Sequence, residues 1–184
     1  MRIKFETAED VYLAFPTLTD DTMAKPDESD PITFVKALAL SETPEDSLSF
    51  FAYLAPRREA VWWASRCLHS FQTPDPRGSL AAADAWLRDP EEPRRVAALD
   101  LAQSASHPDE TDYVAYAAGW SGGNIAADGQ PAAVSAPPYL TAKAARAAVL
   151  IAIARGPMEE RRVRLERCLD EALRVANDDI EAHF

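Results

Sequence analysis

The chain has 184 residues, with 30 acidic against 19 basic side chains, three His, two Cys, and 14 Pro against six Gly. This length suits a single domain whose core needs neither a disulfide nor a metal to hold it. A net charge of −11 excludes a general nucleic-acid binder, which needs a basic footprint, and Cys67 and Cys168 form neither a zinc motif nor a disulfide framework.

The N-terminus, MRIKFETAEDVYLAF, is charged every few residues and lacks the apolar stretch of a secretory signal. Residues 1–50 hold eleven acids and four bases, so much of the negative surplus sits in the first quarter. Residues 1–29 read as an acidic segment with one short helix, either solvated or docking on a basic partner, and an acidic immunity or mimic protein would act through Asp20, Asp21, Asp27 and Asp30. Thr7-Ala8-Glu9-Asp10 resembles a capping box ahead of a short helix through Val11, Tyr12 and Phe15, which Pro16 ends. A second helix opens at Asp30 with Pro31 at its first position, where the missing N–H costs nothing. Phe34, Val35, Leu38 and Ala39 fall on one of its faces.

The same grammar repeats down the chain. Thr43-Pro44-Glu45-Asp46 starts a helix with Leu48, Phe51, Ala52 and Leu54 inward. Pro56-Arg57-Arg58-Glu59 starts the next, with Val61, Trp62, Ser65 and Leu68 inward. Helices follow from about Ser79 to Leu87, from Pro93, and from His107-Pro108-Asp109-Glu110 to about Ala118. Residues 119–138 form a long loop holding four of the six Gly. Beyond it, Tyr139 to Arg155 is apolar nearly all round and is expected at the centre of the fold. Its run Ala147–Ala154 is far short of the 18 to 20 or so apolar residues that span a membrane, so no membrane insertion is expected and a cytoplasmic location is. The last helix, Met158 to about Ala176, is amphipathic. No segment alternates as a strand does.

These signals predict an all-α single domain of seven to eight helices packed as antiparallel helical hairpins. PRREAVWWASRC (56–67) aligns with PRRVAALDLAQS (93–104), and each is followed by an Ala-rich helix ending in Trp, at Trp86 and Trp120. A duplicated hairpin and a mere likeness of composition both remain open.

Gly119-Trp120-Ser121-Gly122-Gly123 satisfies G-x-S-x-G, the serine elbow of the α/β-hydrolases, and Asp170 or Asp178 followed by His183 completes the chain order of a triad. The setting differs from an elbow, because helix precedes the motif and no helix follows it. A Gly-rich helix end is the plainer reading for Trp120, Ser121, Gly122, Gly123 and Asn124. Cys67 and His69, two residues apart on a helix, point to different faces and make no dyad. For Trp62 and Trp63, burial of both in the core and exposure of one at a partner surface stay open. Arg57, Arg58, Arg66, Arg94 and Arg95 either pair with Glu59, Glu91 and Glu92 or recognise carboxylates on a partner. No phosphate loop, dinucleotide fingerprint or metal cluster is present in the sequence, so no cofactor is expected.

The stretches PRREAVWWASRC, YAAGWSGG and APPYLTAKAARAAVLIA resemble an uncharacterised bacterial family of about this length, a domain of unknown function associated with type VI secretion gene clusters. The resemblance covers most of the chain from AEDVYLAFP onward. It implies an accessory to a secretion machine and brings no catalytic residue with it. The expected function is therefore a non-enzymatic module with a protein partner. A serine hydrolase built on Ser121 and an acidic immunity or mimic protein are the alternatives.

Overall fold

The computed structural model describes residues 1, 3–125 and 134–177. They form an all-α fold of nine α-helices, one or two more than expected: α1 Ala8–Ala14, α2 Pro31–Ala39, α3 Glu45–Leu54, α4 Arg57–Ser70, α5 Ser79–Arg88, α6 Glu92–Ser104, α7 Glu110–Gly119, α8 Leu140–Arg155 and α9 Arg161–Asn177. Short 3-10 turns lie at Pro16–Asp20 and Met158–Glu160. Asp178 and His183 fall outside the described residues.

Several helix starts follow the side-chain chemistry of the sequence. Thr7 and Asp10 form a reciprocal capping box on α1, and Asp30 accepts from the N–H groups of Ile32 and Thr33 at the start of α2. Asp109 and Asp112 form a second capping box on α7. Arg77, from the loop before α5, donates to both of these carboxylates, and the Ser79 hydroxyl donates to Asp112 at 2.6 Å. This polar knot ties the start of α5 to the start of α7.

The core centres on α3 and α4 as much as on α8. Every residue of α3 from Asp46 to Leu54 is buried, because the helix is covered on opposite sides. On one side, Phe50 packs between Tyr12 and Phe34, with ring centroids 5.9 and 4.8 Å away. On the other, Phe51 meets the Trp63 ring edge-on at 5.3 Å. In α4, Ala60 to Ser65, Cys67 and Leu68 are all buried. The apolar α8 keeps Ala147, Leu150 and Ile151 half-buried, so it shares the centre and does not occupy it alone. Alanine allows these close approaches: Ala144, Ala145 and Ala148 of α8 and Ala115, Ala117 and Ala118 of α7 are buried along the pair's contact.

The two hairpins read from the sequence are present as α4–α5 and α6–α7. Each is closed by the second arginine of its Pro-Arg-Arg run. Arg58 donates to the Leu87 carbonyl at the end of α5, and Arg95 to the Gly119 carbonyl at the end of α7. A helix start bonded to the following helix's end requires antiparallel packing in both cases. The shared link favours duplication over likeness of composition.

The acidic first quarter is packed into the body of the protein. Val11, Tyr12 and Leu18 are buried, and the Ala8 and Glu9 N–H groups donate to the carbonyls of Ser29 and Asp27. Asp46 at the start of α3 accepts from the N–H of Met23 and Ala24, at 2.9 and 3.1 Å, and from Thr43 Oγ1 at 3.0 Å. Asp21 accepts from the Tyr53 hydroxyl and pairs with Lys143 at 3.1 Å and Arg146 at 3.5 Å. Burial, and then this hydrogen bond to Asp21, raise the Tyr53 hydroxyl well above its ordinary pKa. Asp27 accepts from Ser29 and Asp30 caps α2, yet both stay exposed, as Asp20 does. Asp21 thus ties the segment to α3 and α8, while among the described residues the side chains of Asp27 and Asp30 bond only to residues next to them in the chain.

Removing residues 1–29 uncovers Phe50 and Tyr53, which lose the Tyr12 and Phe15 rings, and the thermal midpoint should fall by about 10 °C or more. Asp46→Ala alone should cost about 2–3 kcal/mol, because three donors lose a charged acceptor. Melts followed by circular dichroism check both. Unchanged midpoints would show that the segment is not part of the fold.

Candidate functional site

The Trp–Arg region singled out in the sequence faces inward. Trp62 is 4% exposed and Trp63 0%. The Trp63 indole N–H donates to the Cys168 carbonyl at 3.0 Å, while Trp62 lies under the Arg66 guanidinium, 5.8 Å from its ring centroid. Both rings are buried within the chain itself. A helix enclosed by α3, α5, α7, α8 and α9 has room for two adjacent indoles in the core.

The arginines are also turned to internal use. Arg66 pairs with Glu171 at 2.5 Å, Arg94 with Asp89 at 2.8 Å, and Arg57 donates to the Ser121 carbonyl at 2.7 Å. Arg95 is 3% exposed: it grips Glu92 through two bonds of 2.7 Å and reaches the carbonyls of Gly119 and Asn124. Its hydrogen bonds hold the Glu92 carboxyl below the usual carboxylate range. Of the acids expected to pair with these arginines, only Glu92 does so among the described ion pairs, because the long side chains reach carbonyls and acids on other helices instead.

The GWSGG loop has structural reasons for its glycines. Gly119 is the last residue of α7, and a Cβ there would stand 2.7 Å from the Leu99 Cβ and 3.0 Å from the Leu99 Cα. Gly123 has φ of +62°, and a Cβ would stand 2.6 Å from the Arg95 guanidinium. Gly122 meets neither constraint. The two glycines that make the motif match are thus needed for close approach and a left-handed turn. Helix α7 precedes Ser121, and an isolated antiparallel bridge between Asn124 and Ser135 follows, so the strand–turn–helix of a nucleophile elbow is absent here. The loop is pinned from three helices: Arg95 of α6, Arg57 of α4, and Thr141 of α8, whose hydroxyl donates to the Trp120 carbonyl at 3.0 Å.

Two juxtapositions had no signal in sequence spacing. Cys67 of α4 and Cys168 of α9 are both buried, and their thiols meet. Burial, reinforced by the Cys168 thiol, pushes the Cys67 thiol well up, which makes it an inert packing group. Asp84 of α5 lies between the Ser65 hydroxyl at 2.5 Å and His69 Nε2 at 2.7 Å. With the acid in the middle, the imidazole does not activate the hydroxyl, so this trio lacks the order of a catalytic triad. Among the described residues, no group of three or more His, Cys, Asp or Glu is arranged to hold a metal ion. No helix there is long and apolar enough to cross a membrane.

Two of the exposed apolar side chains among the described residues, Leu40 and Met158, lie together. The turn after α2 and the start of α9 enclose a groove of about 620 Å³. Leu40, at 90% exposed, forms one lip and Met158, at 77%, the other, over a floor made by Leu165 and Leu169. Leu165 and Leu169 lie on one face of α9, and Met158, in the 3-10 turn just before it, extends the apolar track along the groove. The rim carries the pairs Arg161–Glu45 and Arg162–Glu166, at 3.0 and 2.9 Å, which leave it without net charge. Sequence periodicity showed Leu165 and Leu169 as a core stripe, and only the ends of α2 and α9 coming together reveal the groove.

Residues 34–176 match the model of a protein family. The chain belongs to DUF6931, a family of unknown function. Comparison with curated proteins and with solved structures gives no match. The span shared with DUF6931 starts within α2 and takes in both hairpins, the GWSGG loop, and every residue lining the α2–α9 groove. It leaves out α1 and the Asp20–Asp21 region.

The glycine geometry makes a graded prediction. Gly122→Ala should leave stability within about 0.5 kcal/mol of wild type. Gly119→Ala and Gly123→Ala should each cost about 1–3 kcal/mol, through overpacking against Leu99 and through backbone strain beside Arg95. Denaturant unfolding measures all three, and equal costs at the three positions would contradict this account of the motif.

Proposed function

We propose that the chain is a non-enzymatic protein-interaction module that seats one apolar face of a partner's amphipathic helix in the α2–α9 groove. The observation that supports this reading is the pair Leu40 and Met158, large apolar side chains left in water on facing lips of one groove. Covering such a side chain fully is worth about 1.5–3 kcal/mol, and helix-in-groove recognition uses a track of this kind. The neutral rim favours burial over charge as the source of attraction, which fits an amphipathic helix better than a strongly charged segment. The resemblance of PRREAVWWASRC and YAAGWSGG to a family of type VI secretion gene clusters supports a role as accessory or adaptor of such a bacterial apparatus. Nothing in the arrangement of Asp21 or Asp30 favours an acidic mimic.

The test compares proteins retained from source-cell lysate by wild type and by the double variant Leu40→Glu/Met158→Glu, with Leu13→Glu as an exposed control on α1. A partner held by wild type and by the control, and lost from the double variant, is expected. Retention of the same set by all three overturns the reading. In this account a fluorophosphonate probe labels neither wild type nor Ser121→Ala; labelling of wild type that disappears in Ser121→Ala would restore the hydrolase alternative.

A further inference from the structure

At the opposite end of α3 from the groove lies a second cavity, a cleft of about 360 Å³ between the N-terminal segment, the α3–α4 junction and the start of α8. Much of its wall is apolar, from Phe15, Ala52, Leu54 and Ala60. Its polar side chains are Lys4, Arg57, Tyr53 and Thr141. The Tyr53 hydroxyl is committed to Asp21 and that of Thr141 to the Trp120 carbonyl. The cleft is left with two cationic donors and no carboxylate in its lining.

That composition is unusual in a chain with 30 acids and 19 bases. Arg66, Arg77, Arg95 and Arg155 each face a carboxylate. Lys4 has no hydrogen-bond or ion-pair partner among the described residues, and the one bond of Arg57 goes to a neutral carbonyl. One Nη1 hydrogen is so engaged, and a guanidinium has five, which leaves a flat pair of donors for a planar acceptor. The first turns of α4 and α8 also form walls of the cleft, through Pro56 and Arg57 and through Thr141 and Ala142. Neither turn has a side-chain cap, so both add positive potential from open N–H groups.

We infer that this cleft binds a small organic monocarboxylate with a short apolar body. Arg57 takes the carboxylate through its free fork, Lys4 supplies the second positive charge, and the Phe15–Leu54 wall covers the apolar part. A fork matched to a planar acid selects carboxylate, and the volume lies at the small end of ligand sites, which suits a short chain or a single ring. The site is independent of the α2–α9 groove. It also shares Arg57 with the GWSGG loop, so an occupied cleft and the Ser121 carbonyl draw on the same guanidinium.

Calorimetric titration with sodium octanoate, against octanol as the neutral isostere, tests the inference on the full chain. Octanoate should bind at one saturable site, and octanol at least about tenfold more weakly, the loss expected when a charge-assisted contact is missing. Lys4→Gln should weaken octanoate about threefold to fivefold, as befits an exposed charge. Arg57→Gln should weaken it about tenfold or more, and Lys36→Gln, on the outer face of α2, should leave it unchanged. Lys4 has no side-chain bond among the described residues, so Lys4→Gln separates loss of binding from loss of structure. Octanol binding as tightly as octanoate overturns the inference. So does octanoate affinity equal to wild type in both Lys4→Gln and Arg57→Gln, or no saturable octanoate binding up to about 10 mM.

Discussion

Trp63 is the side chain on which the rest of the architecture turns. Its indole N–H is satisfied by the Cys168 carbonyl and its ring meets Phe51, so one residue joins α3, α4 and α9. A buried indole without a partner for its N–H is costly, which makes the position of α9 part of the solution and not an afterthought. With α9 held there, its Leu165–Leu169 face and Met158 of the preceding 3-10 turn meet the turn after α2, and the open groove is the result. The same constraint brings Cys67 and Cys168 together and sets Glu171 against Arg66. The floor of the groove thus rests, through Leu165, on the buried core.

Arginine does the work at the ends of helices that capping side chains do elsewhere. Arg58 and Arg95 close the two hairpins on backbone carbonyls, and Arg57 and Arg95 hold the GWSGG loop. Helix C-termini expose unpaired carbonyls at the negative end of the helix dipole, so a guanidinium is a natural partner for them. An acidic protein can therefore use several of its arginines to close its own helix ends. Acids play the matching role in the first quarter, where Asp21, Asp30 and Asp46 bond to the chain itself.

Helix starts were legible because they depend on residues close in sequence. Thr7 with Asp10, Asp30 with Pro31, and the Asp109 region all name their own helix, and Pro and Gly mark the breaks. The all-α class followed from the same local signals. What spacing left open was decided by contacts between distant elements. Both Trp62 and Trp63 are inside because five helices enclose α4, and Asp46 serves residues 22 and 23 positions earlier in the chain. The G-x-S-x-G match could be doubted from its flanks, but the reasons for Gly119 and Gly123 lie in Leu99 and Arg95. Leu40, just past α2, carried no signal in spacing, and its exposure beside the start of α9 makes it a lip of the groove.

The central claim is that the α2–α9 groove holds a protein partner. Its most direct test is a photo-crosslinking side chain placed at Leu40 and, as a control, at the exposed Leu13 of α1, in the intact protein in its source cells. The account predicts a discrete heavier adduct, from a second polypeptide, at Leu40 and not at Leu13. Identical adduct patterns from the two positions, or an adduct at Leu40 containing only a second copy of this chain, would contradict it.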